Sequence, residues 1–484
     1  MFNWKVIGKI IGILLVLNAV FMLTCIPFSL MEHDGDLKAI LISAAVTALS
    51  GLLLMWACNK RESNELTKRD GYIIVTMGWL SMSVFGSLPF IISGAIPNFT
   101  DAFFETISGF STTGASILTD IESVHKGILF WRSLTQWMGG MGIIVLTVAI
   151  LPILGIGGMQ LFVAEAPGIS PDKLQPRIKE TAKRLWLIYL GLTFAETILL
   201  WVSGMTFFDA INHGLTTMAT GGFSTKNASI AYYTSPLIQY ILILFMILAG
   251  TNFTMIYFGL HGKFMKVLKN EEFRFYIGFT LMISVIVGLV VYNIESGSFE
   301  KAMRDALFQV VSVITTTGFI TRDYTTWTSF LTLLFFVLMF IGASAGSTAG
   351  GVKIVRHLLL VRNSILDLKR QIHPSAIIPV RFNGKGVSPE IISNILAFIM
   401  IYISIFGIGS IFMAMMGLDM VTAMGAVATC LGNIGPGLGF VGPVNNFANV
   451  PDGGKWLLSF LMLLGRLELF TVLLLFTPYF WRKI

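Results

Sequence analysis

Four aspartates in this sequence each stand thirteen residues ahead of a glycine: Asp101 and Gly114, Asp209 and Gly222, Asp305 and Gly318, Asp419 and Gly432. The chain holds twelve aspartates in 484 residues, so four pairs at one offset mark an internal repeat. Such a repeat governs the reading of the whole fold. The units read DAFFETISGFSTTGAS (101–116), DAINHGLTTMATGGFS (209–224), DALFQVVSVITTTGFI (305–320) and DMVTAMGAVATCLGNI (419–434). Ahead of each glycine stand Thr112–Thr113, Thr220–Gly221, Thr316–Thr317 and Cys430–Leu431, and Asn433 follows the fourth glycine. These loops end in glycines rather than nucleophiles, so their chemistry is that of the backbone. Glycine reaches angles closed to other residues and can turn its carbonyl toward an axis. A ring of neutral carbonyl dipoles suits a dehydrated, K⁺-like cation, whereas a ring of acidic side chains would favour divalent ions.

Each unit supplies an element to carry its loop. Asp101, Asp209, Asp305 and Asp419 are expected to be helix N-caps, where side chain and charge both suit the N-terminus. About ten helical residues follow, roughly 15 Å or half a bilayer. The helix then stops at small residues and the chain turns back. Non-helical backbone at that depth survives only where protein buries it or where it lines a watery path. Four such loops converging would set carbonyls at the negative ends of four helices.

The rest of the composition supports a membrane setting. Hydrophobic residues make up 55% of the chain, charged residues only 12%, and mean hydropathy is +0.79. Apolar runs of spanning length are expected at 6–30, 37–58, 71–96, 127–153, 182–204, 235–260, 274–294, 327–357, 390–416 and 454–480, about ten in all. Basic residues cluster at Lys5 and Lys9, from Lys60 to Arg69, from Lys173 to Arg184, from Lys263 to Arg274, from Lys353 to Lys385, and at Arg482–Lys483. Those clusters alternate correctly with ten spans if all face the cytoplasm, which puts both termini inside. The net charge of +7 lies in these loops, so no nucleic-acid partner is implied. Cys25, Cys58 and Cys430 form no disulfide framework and no CxxC metal motif. The expected fold is an all-α membrane protein. A two-helix hairpin (1–66) precedes four fused helix–pore-loop–helix units (67–160, 161–265, 266–372, 373–484) around one central pore.

The four units, together with QWMGGMGIIVL (136–146), GASAGSTAGGVK (342–353), GNIGPGLG (432–439) and GRLELFT (465–471), resemble the Trk/Ktr/HKT family of K⁺ transporters over nearly the whole chain. The resemblance implies a K⁺ uptake protein of the bacterial inner membrane, built like four fused channel protomers. It implies a homodimer in the lipid membrane and a cytosolic TrkA-like nucleotide-binding regulatory ring. K⁺ is then the transported ion, with no organic cofactor in this chain. Gly114, Gly222, Gly318 and Gly432 would be the filter glycines. Gly221 and the Cys430–Leu431 pair depart from the Thr–Thr pattern and make the ring asymmetric.

Two further stretches stand out. Gly342, Ala343, Ser344, Ala345, Gly346, Ser347, Thr348, Ala349, Gly350 and Gly351 interrupt the run that starts near Trp327. Such small residues permit close helix packing. The alternative is a broken helix crossing the pathway below the filter, which the resemblance makes an intramembrane gating loop. The stretch is no phosphate-binding loop, because Lys353 falls one place late and no Ser or Thr follows it. Arg466 lies midway along the last run, at a depth where a charge must face protein or water. Its readings are half of a buried ion pair or a positive barrier at the pore wall; the second is expected. Glu468 falls on a different helical face and is no obvious partner. His213, matched in place by Glu105 and Gln309, reads as packing, and Asn252 as a helix-to-helix hydrogen bond.

Other function classes fit less well. No HExxH, GxSxG or paired membrane aspartate supports an enzyme. An inverted-repeat transporter would show two halves of opposite topology, whereas these four units run parallel. A cation/H⁺ or cation/Na⁺ symporter with the same filter remains the alternative reading.

Overall fold

The computed structural model describes residues 2–32, 35–59, 67–150, 178–295, 297–373 and 378–482, with backbone alone for Glu32, Lys68, 141–150 and 178–182. The basic residues at 60–66 and 173–177, Lys483, the end of the expected span at 127–153 and the expected unit boundary at 160/161 lie outside the described residues.

Among the described residues the architecture is helical apart from a two-residue hairpin pairing Arg381–Phe382 with Lys385–Gly386 and a single bridge between Gly342 and Lys353. Trp4–Leu23 and Leu37–Ala57 form the N-terminal hairpin. They approach so closely that a β-carbon on Gly12 or on Gly51 would lie 2.7 Å from the other's carbonyl oxygen. Absent side chains let backbones meet in lipid, where helix association depends on packing rather than on expelling water. Trp4–Leu23 also packs against Lys68–Gly86, the first helix of unit 1.

Each unit then repeats one plan: a long helix, a short buried helix, a turn and a returning helix. The long first helices of units 1 to 4 are Lys68–Gly86, Ile178–Val202, Glu271–Ile294 and Pro389–Met415. The short helices are Phe99–Phe110, Phe207–Met218, Phe299–Ile314 and Met420–Gly432, about 18–24 Å long at 1.5 Å per residue. Their final turns are buried, and Phe104, Phe110, His213, Phe308 and Cys430 are fully enclosed. Among the described residues six helices are long and apolar enough to cross a bilayer, or eight if two sharply bent pairs each count once.

The returning helices depart from the expected unbroken spans. Only that of unit 1, Lys126–Ile150, is continuous. In unit 2 the run at 235–260 breaks into Pro236–Ala249 and Phe253–Leu260, bent by 109°. Gly250 and Thr251 end the first piece and Asn252 caps the second, its Oδ1 accepting the Thr254 N–H at 2.8 Å. In unit 4 the run at 454–480 breaks into Asp452–Arg466 and Phe470–Phe476, bent by 113°. In unit 3 the run at 327–357 is not a span at all. Ser329–Leu338 stops after ten residues, the small-residue stretch follows without helix, and Ile354–Ile372 begins a separate amphipathic helix.

The expected caps also need correction. Asp419 does cap its helix, accepting the Thr422 N–H at 3.1 Å. In the other units the cap is an earlier Asn, Thr or Ser. Asn98 accepts from Thr100 at 2.9 Å, Thr206 from Asp209 at 3.1 Å, and Ser298 from Lys301 at 3.2 Å. Each is itself a strong cap residue and lies further from the turn. Asp101 and Asp209 fall in the first turn, where their charge still suits the helix N-terminus. Asp305 lies in the helix interior and pairs with Arg322 at 3.4 Å.

Candidate functional site

The four short helices end identically. In units 1 to 3, Thr112, Thr220 and Thr316 adopt φ of 54°, 52° and 55°, and in unit 4 Asn433 adopts 53°. The N–H of each reaches back three residues, to Gly109 O, Thr217 O, Val313 O and Cys430 O at 2.8–3.4 Å. The next N–H reaches back five, from Thr113 to Ser108, Gly221 to Thr216, Thr317 to Ser312 and Ile434 to Thr429, at 2.8–3.0 Å. That pair of bonds defines a Schellman turn, which normally places glycine or asparagine at the left-handed position. Only unit 4 obeys the preference. A β-branched Thr there stores strain of about 1–3 kcal/mol and persists where its surroundings over-determine it.

A second left-handed residue follows two places later: Gly114, Gly222, Gly318 and Gly435, at φ of 82°, 77°, 81° and 103°. The register of the fourth unit is therefore three residues later than the Asp–Gly offset suggests. Cys430, Leu431 and Gly432 occupy the last turn of the helix, and the residues matching Thr–Thr–Gly are Asn433–Ile434–Gly435. Asp419 correspondingly matches the caps Asn98 and Thr206 rather than Asp101 and Asp209.

The turns interlock. A β-carbon on Gly114 would run into the carbonyl oxygen of Gly221, one on Gly222 into that of Thr317, and one on Gly318 into that of Ile434. One on Gly435 would lie 2.8 Å from that of Thr113. Each unit's glycine thus abuts the preceding position of the next unit, and the fourth returns to the first. This closed ring excludes side chains and is lined by backbone.

Behind the ring, each of the first three turns is tied to its own helix one residue class at a time. Glu105 accepts from Ser116 Oγ at 2.9 Å and from the Ile117 N–H at 2.8 Å. His213 Nε2 meets Ser224 Oγ at 2.9 Å, and Gln309 Nε2 donates to Thr321 Oγ1 at 3.1 Å. These three residues are braces rather than simple packing. Their shared place, nine before the turn glycine, is the sequence signal that would have found them. Unit 4 has Ala426 there and no such brace. Glu105 also pairs with Arg132 Nε at 2.7 Å, both side chains buried.

Beneath the ring lies the small-residue segment. The Gly350 N–H donates to Thr316 Oγ1 at 2.7 Å, and Thr348 Oγ1 donates to Met218 O at 3.0 Å. The Ser344 N–H donates to Gly250 O at 3.1 Å, Asn252 Nδ2 to Ala345 O at 2.7 Å, and the Ala345 N–H to Glu272 Oε1 at 2.6 Å. Asn252 therefore holds this segment instead of bridging two helices. Two cations clasp the segment's carbonyls. Lys353 Nζ donates to Ala349 O and, at 3.4 Å, to Gly350 O. Arg466 Nη1 donates to Thr348 O at 2.7 Å, while Nη2 reaches Gly139 O at 2.6 Å and Gly140 O at 2.8 Å. Glu468 faces away and pairs with Arg356, whose guanidinium lies 3.9 Å from the centre of the Phe398 ring. Backbone strain marks this break too, with Glu468 and Leu469 at φ of 56° and 52°.

Among the described residues no cluster of His, Cys, Asp or Glu could hold a metal ion. The site is one of backbone carbonyls, hydroxyls, the buried cation Lys353 and the partly buried cation Arg466.

Comparison with known proteins gives the chain a family. The profile of the family described as TrkH, cation transport protein, matches residues 36–483. The Trk system potassium uptake protein TrkH of Salmonella typhimurium is 43% identical over 99% of this chain and all of its own length. TrkH of Escherichia coli K12 is 42% identical over the same shares, and TrkG of that strain is 33% identical over 99% of both chains. The crystal structure of the potassium transporter TrkH from Vibrio parahaemolyticus superposes with a TM-score of 0.89 at 40% identity, covering 99% of this chain and all of that one. The chain belongs to the TrkH family of cation transport proteins.

Proposed function

We propose that this chain takes up K⁺ across the bacterial inner membrane through a channel-like pore, with the interlocked ring as its selectivity filter. The observation that carries this is the ring itself: four glycine turns, each abutting the next unit's carbonyl, at the C-terminal ends of four helices. Carbonyl oxygens replace the hydration shell of a bare cation, and the negative helix ends add to the attraction. The filter comprises Thr112–Gly114, Thr220–Gly222, Thr316–Gly318 and, in the shifted register, Asn433–Gly435. The uptake of potassium named for the relatives supports K⁺ as the cargo.

The segment from Gly342 to Gly351 is the gate. It bonds directly to Thr316 in the filter, so it must move aside for an ion to continue inward. Arg466 holds the gate through Thr348 and places a fixed positive charge on the same route. Opening is controlled by a cytosolic TrkA-like nucleotide-binding ring, and the chain works as a homodimer with both termini in the cytoplasm. The basic, amphipathic helix Ile354–Ile372 leads straight out of the gate and suits that contact.

Uptake of ⁸⁶Rb⁺ into liposomes holding the purified protein tests the reading, with Na⁺ competition as the measure of selectivity. Gly318→Ser adds a side chain where the Ile434 carbonyl stands, and is expected to lower K⁺-over-Na⁺ discrimination in folded protein. Unchanged discrimination would remove the ring from the transport path. Reversal potentials under K⁺, Na⁺ and pH gradients separate passive from coupled movement.

A further inference from the structure

The second filter strand lacks the side chains that steady its neighbours. In unit 1 the Thr113 hydroxyl meets Ser111 Oγ at 2.6 Å, and in unit 3 the Thr317 hydroxyl meets Thr315 Oγ1 at 2.8 Å. The matching residues in unit 2 are Ala219 and Gly221, which carry no hydroxyl. The space is not empty. A β-carbon on Gly221 would collide with Cδ and Oε1 of Gln136, a buried residue on the returning helix of unit 1. The Gln136 amide grips the strand on both sides of Gly222. Its Nε2 donates to Gly221 O at 2.6 Å, and its Oε1 accepts the Phe223 N–H at 3.0 Å. One turn earlier on the same helix face, Arg132 donates to Ser224 O at 3.1 Å and lies 3.5 Å from the centre of the Phe223 ring.

We infer that Gln136 is a specificity-determining positioning residue: its amide stands in for the missing threonine side chain and sets the ion-facing backbone of the second filter strand. The glycine at 221 and the glutamine at 136 are then one device, because either a side chain at 221 or the Gln136 amide fits that space, and not both. The amide also fixes the direction of the Gly221 carbonyl, the one that Gly114 abuts. It therefore steadies the junction between units 1 and 2 as well as the strand. A buried primary amide does this better than a hydroxyl, since it presents a donor and an acceptor at fixed separation. This inference rests on the ring being the filter.

The test is an exchange of the two residues, read as the ratio of ⁸⁶Rb⁺ to ²²Na⁺ uptake in liposomes. Gln136→Met fills the same space without hydrogen bonds. It should leave a folded protein whose ratio falls below wild type toward that of Gly318→Ser, because the Gly221 carbonyl and the Phe223 N–H lose their fixed partner. Gly221→Thr alone should fail through the clash, in folding or in selectivity. Ala219→Ser and Gly221→Thr combined with Gln136→Ala rebuild the hydroxyl pair of unit 1 and should recover a ratio nearer wild type than Gln136→Ala alone, which a merely structural role would not produce. A wild-type ratio in folded Gln136→Met, or a combined variant no nearer wild type than Gln136→Ala alone, overturns the inference. Gly318→Ser run alongside separates the two levels. If it lowers the ratio while Gln136→Met does not, only the role of Gln136 fails. If neither alters it, the filter reading fails.

Discussion

Replacing Arg466 with alanine removes three hydrogen bonds from one cation to backbone carbonyls, at 2.6–2.8 Å. Only the bond to Thr348 O reaches the small-residue segment proposed as the gate; the other two anchor the guanidinium to Gly139 and Gly140. Hydrogen bonds to charged groups are worth about 1.5–3 kcal/mol each. If the Thr348 bond exists only while the segment lies across the route, its loss shifts the gate toward open by that amount. At 1.4 kcal/mol per factor of ten, open occupancy rises about 10- to 100-fold. The lost charge acts in the same direction. A monovalent ion passing within roughly 8 Å of the guanidinium, at an effective dielectric near 20, meets about 2 kcal/mol of repulsion. Arg466→Lys separates the two effects, since it keeps the charge and loses the forked geometry that reaches both the segment and the helix. The assay is ⁸⁶Rb⁺ flux into liposomes without the regulatory ring, paired with thermal unfolding in detergent. Flux should rank alanine above lysine above wild type, with a modest fall in melting temperature. Flux at or below wild type with a steep loss of stability would refute the reasoning and make Arg466 a structural clamp.

The register of the fourth unit gives a paired expectation. Gly435→Ser should reduce K⁺ discrimination, whereas Cys430→Ser, one turn down inside the helix, should leave the Rb⁺-to-Na⁺ ratio unchanged. Deleting Gly346 to Gly350 should raise Rb⁺ flux and keep ion preference; lowered flux in correctly inserted protein would make the segment scaffold. Glu105→Gln strands Arg132 in a buried setting and should cost about 3–5 kcal/mol, seen as a large drop in melting temperature. Equal stability to wild type would mean that water reaches the pair.

Much of this was legible because membrane proteins write their constraints in composition. Apolar runs, basic loops and the parallel repeat led to the right class of fold, and a run of ten small residues announced a break in unit 3. The shorter breaks did not show. Leu467, Glu468 and Leu469 are ordinary helix formers, and what accompanies the break, the pairing of Glu468 with Arg356, joins residues 112 positions apart. The register of unit 4 was misread because the Asp–Gly offset tracks helix length, while the turn is set by the left-handed residue. Asn433, the one filter position with a residue suited to that conformation, was the available clue. Gln136 stands within the stretch QWMGGMGIIVL, yet its partner strand lies 85 positions away and only folding brings them together.

The ring closes within a single polypeptide, and that alters how it can change. An assembly of four identical subunits receives every filter substitution in quadruplicate, so each trial is all or nothing. Here a single codon alters a single quadrant. Asn433, Ile434, Gly221 and the braces Glu105, His213 and Gln309 are positions at which the four quadrants of this sequence differ. Neighbouring quadrants can compensate one another, as a glutamine from the first does for a glycine in the second. With the ring as the proposed filter, ion preference would be adjustable in quarter steps, a fineness that a symmetric assembly of four identical subunits lacks.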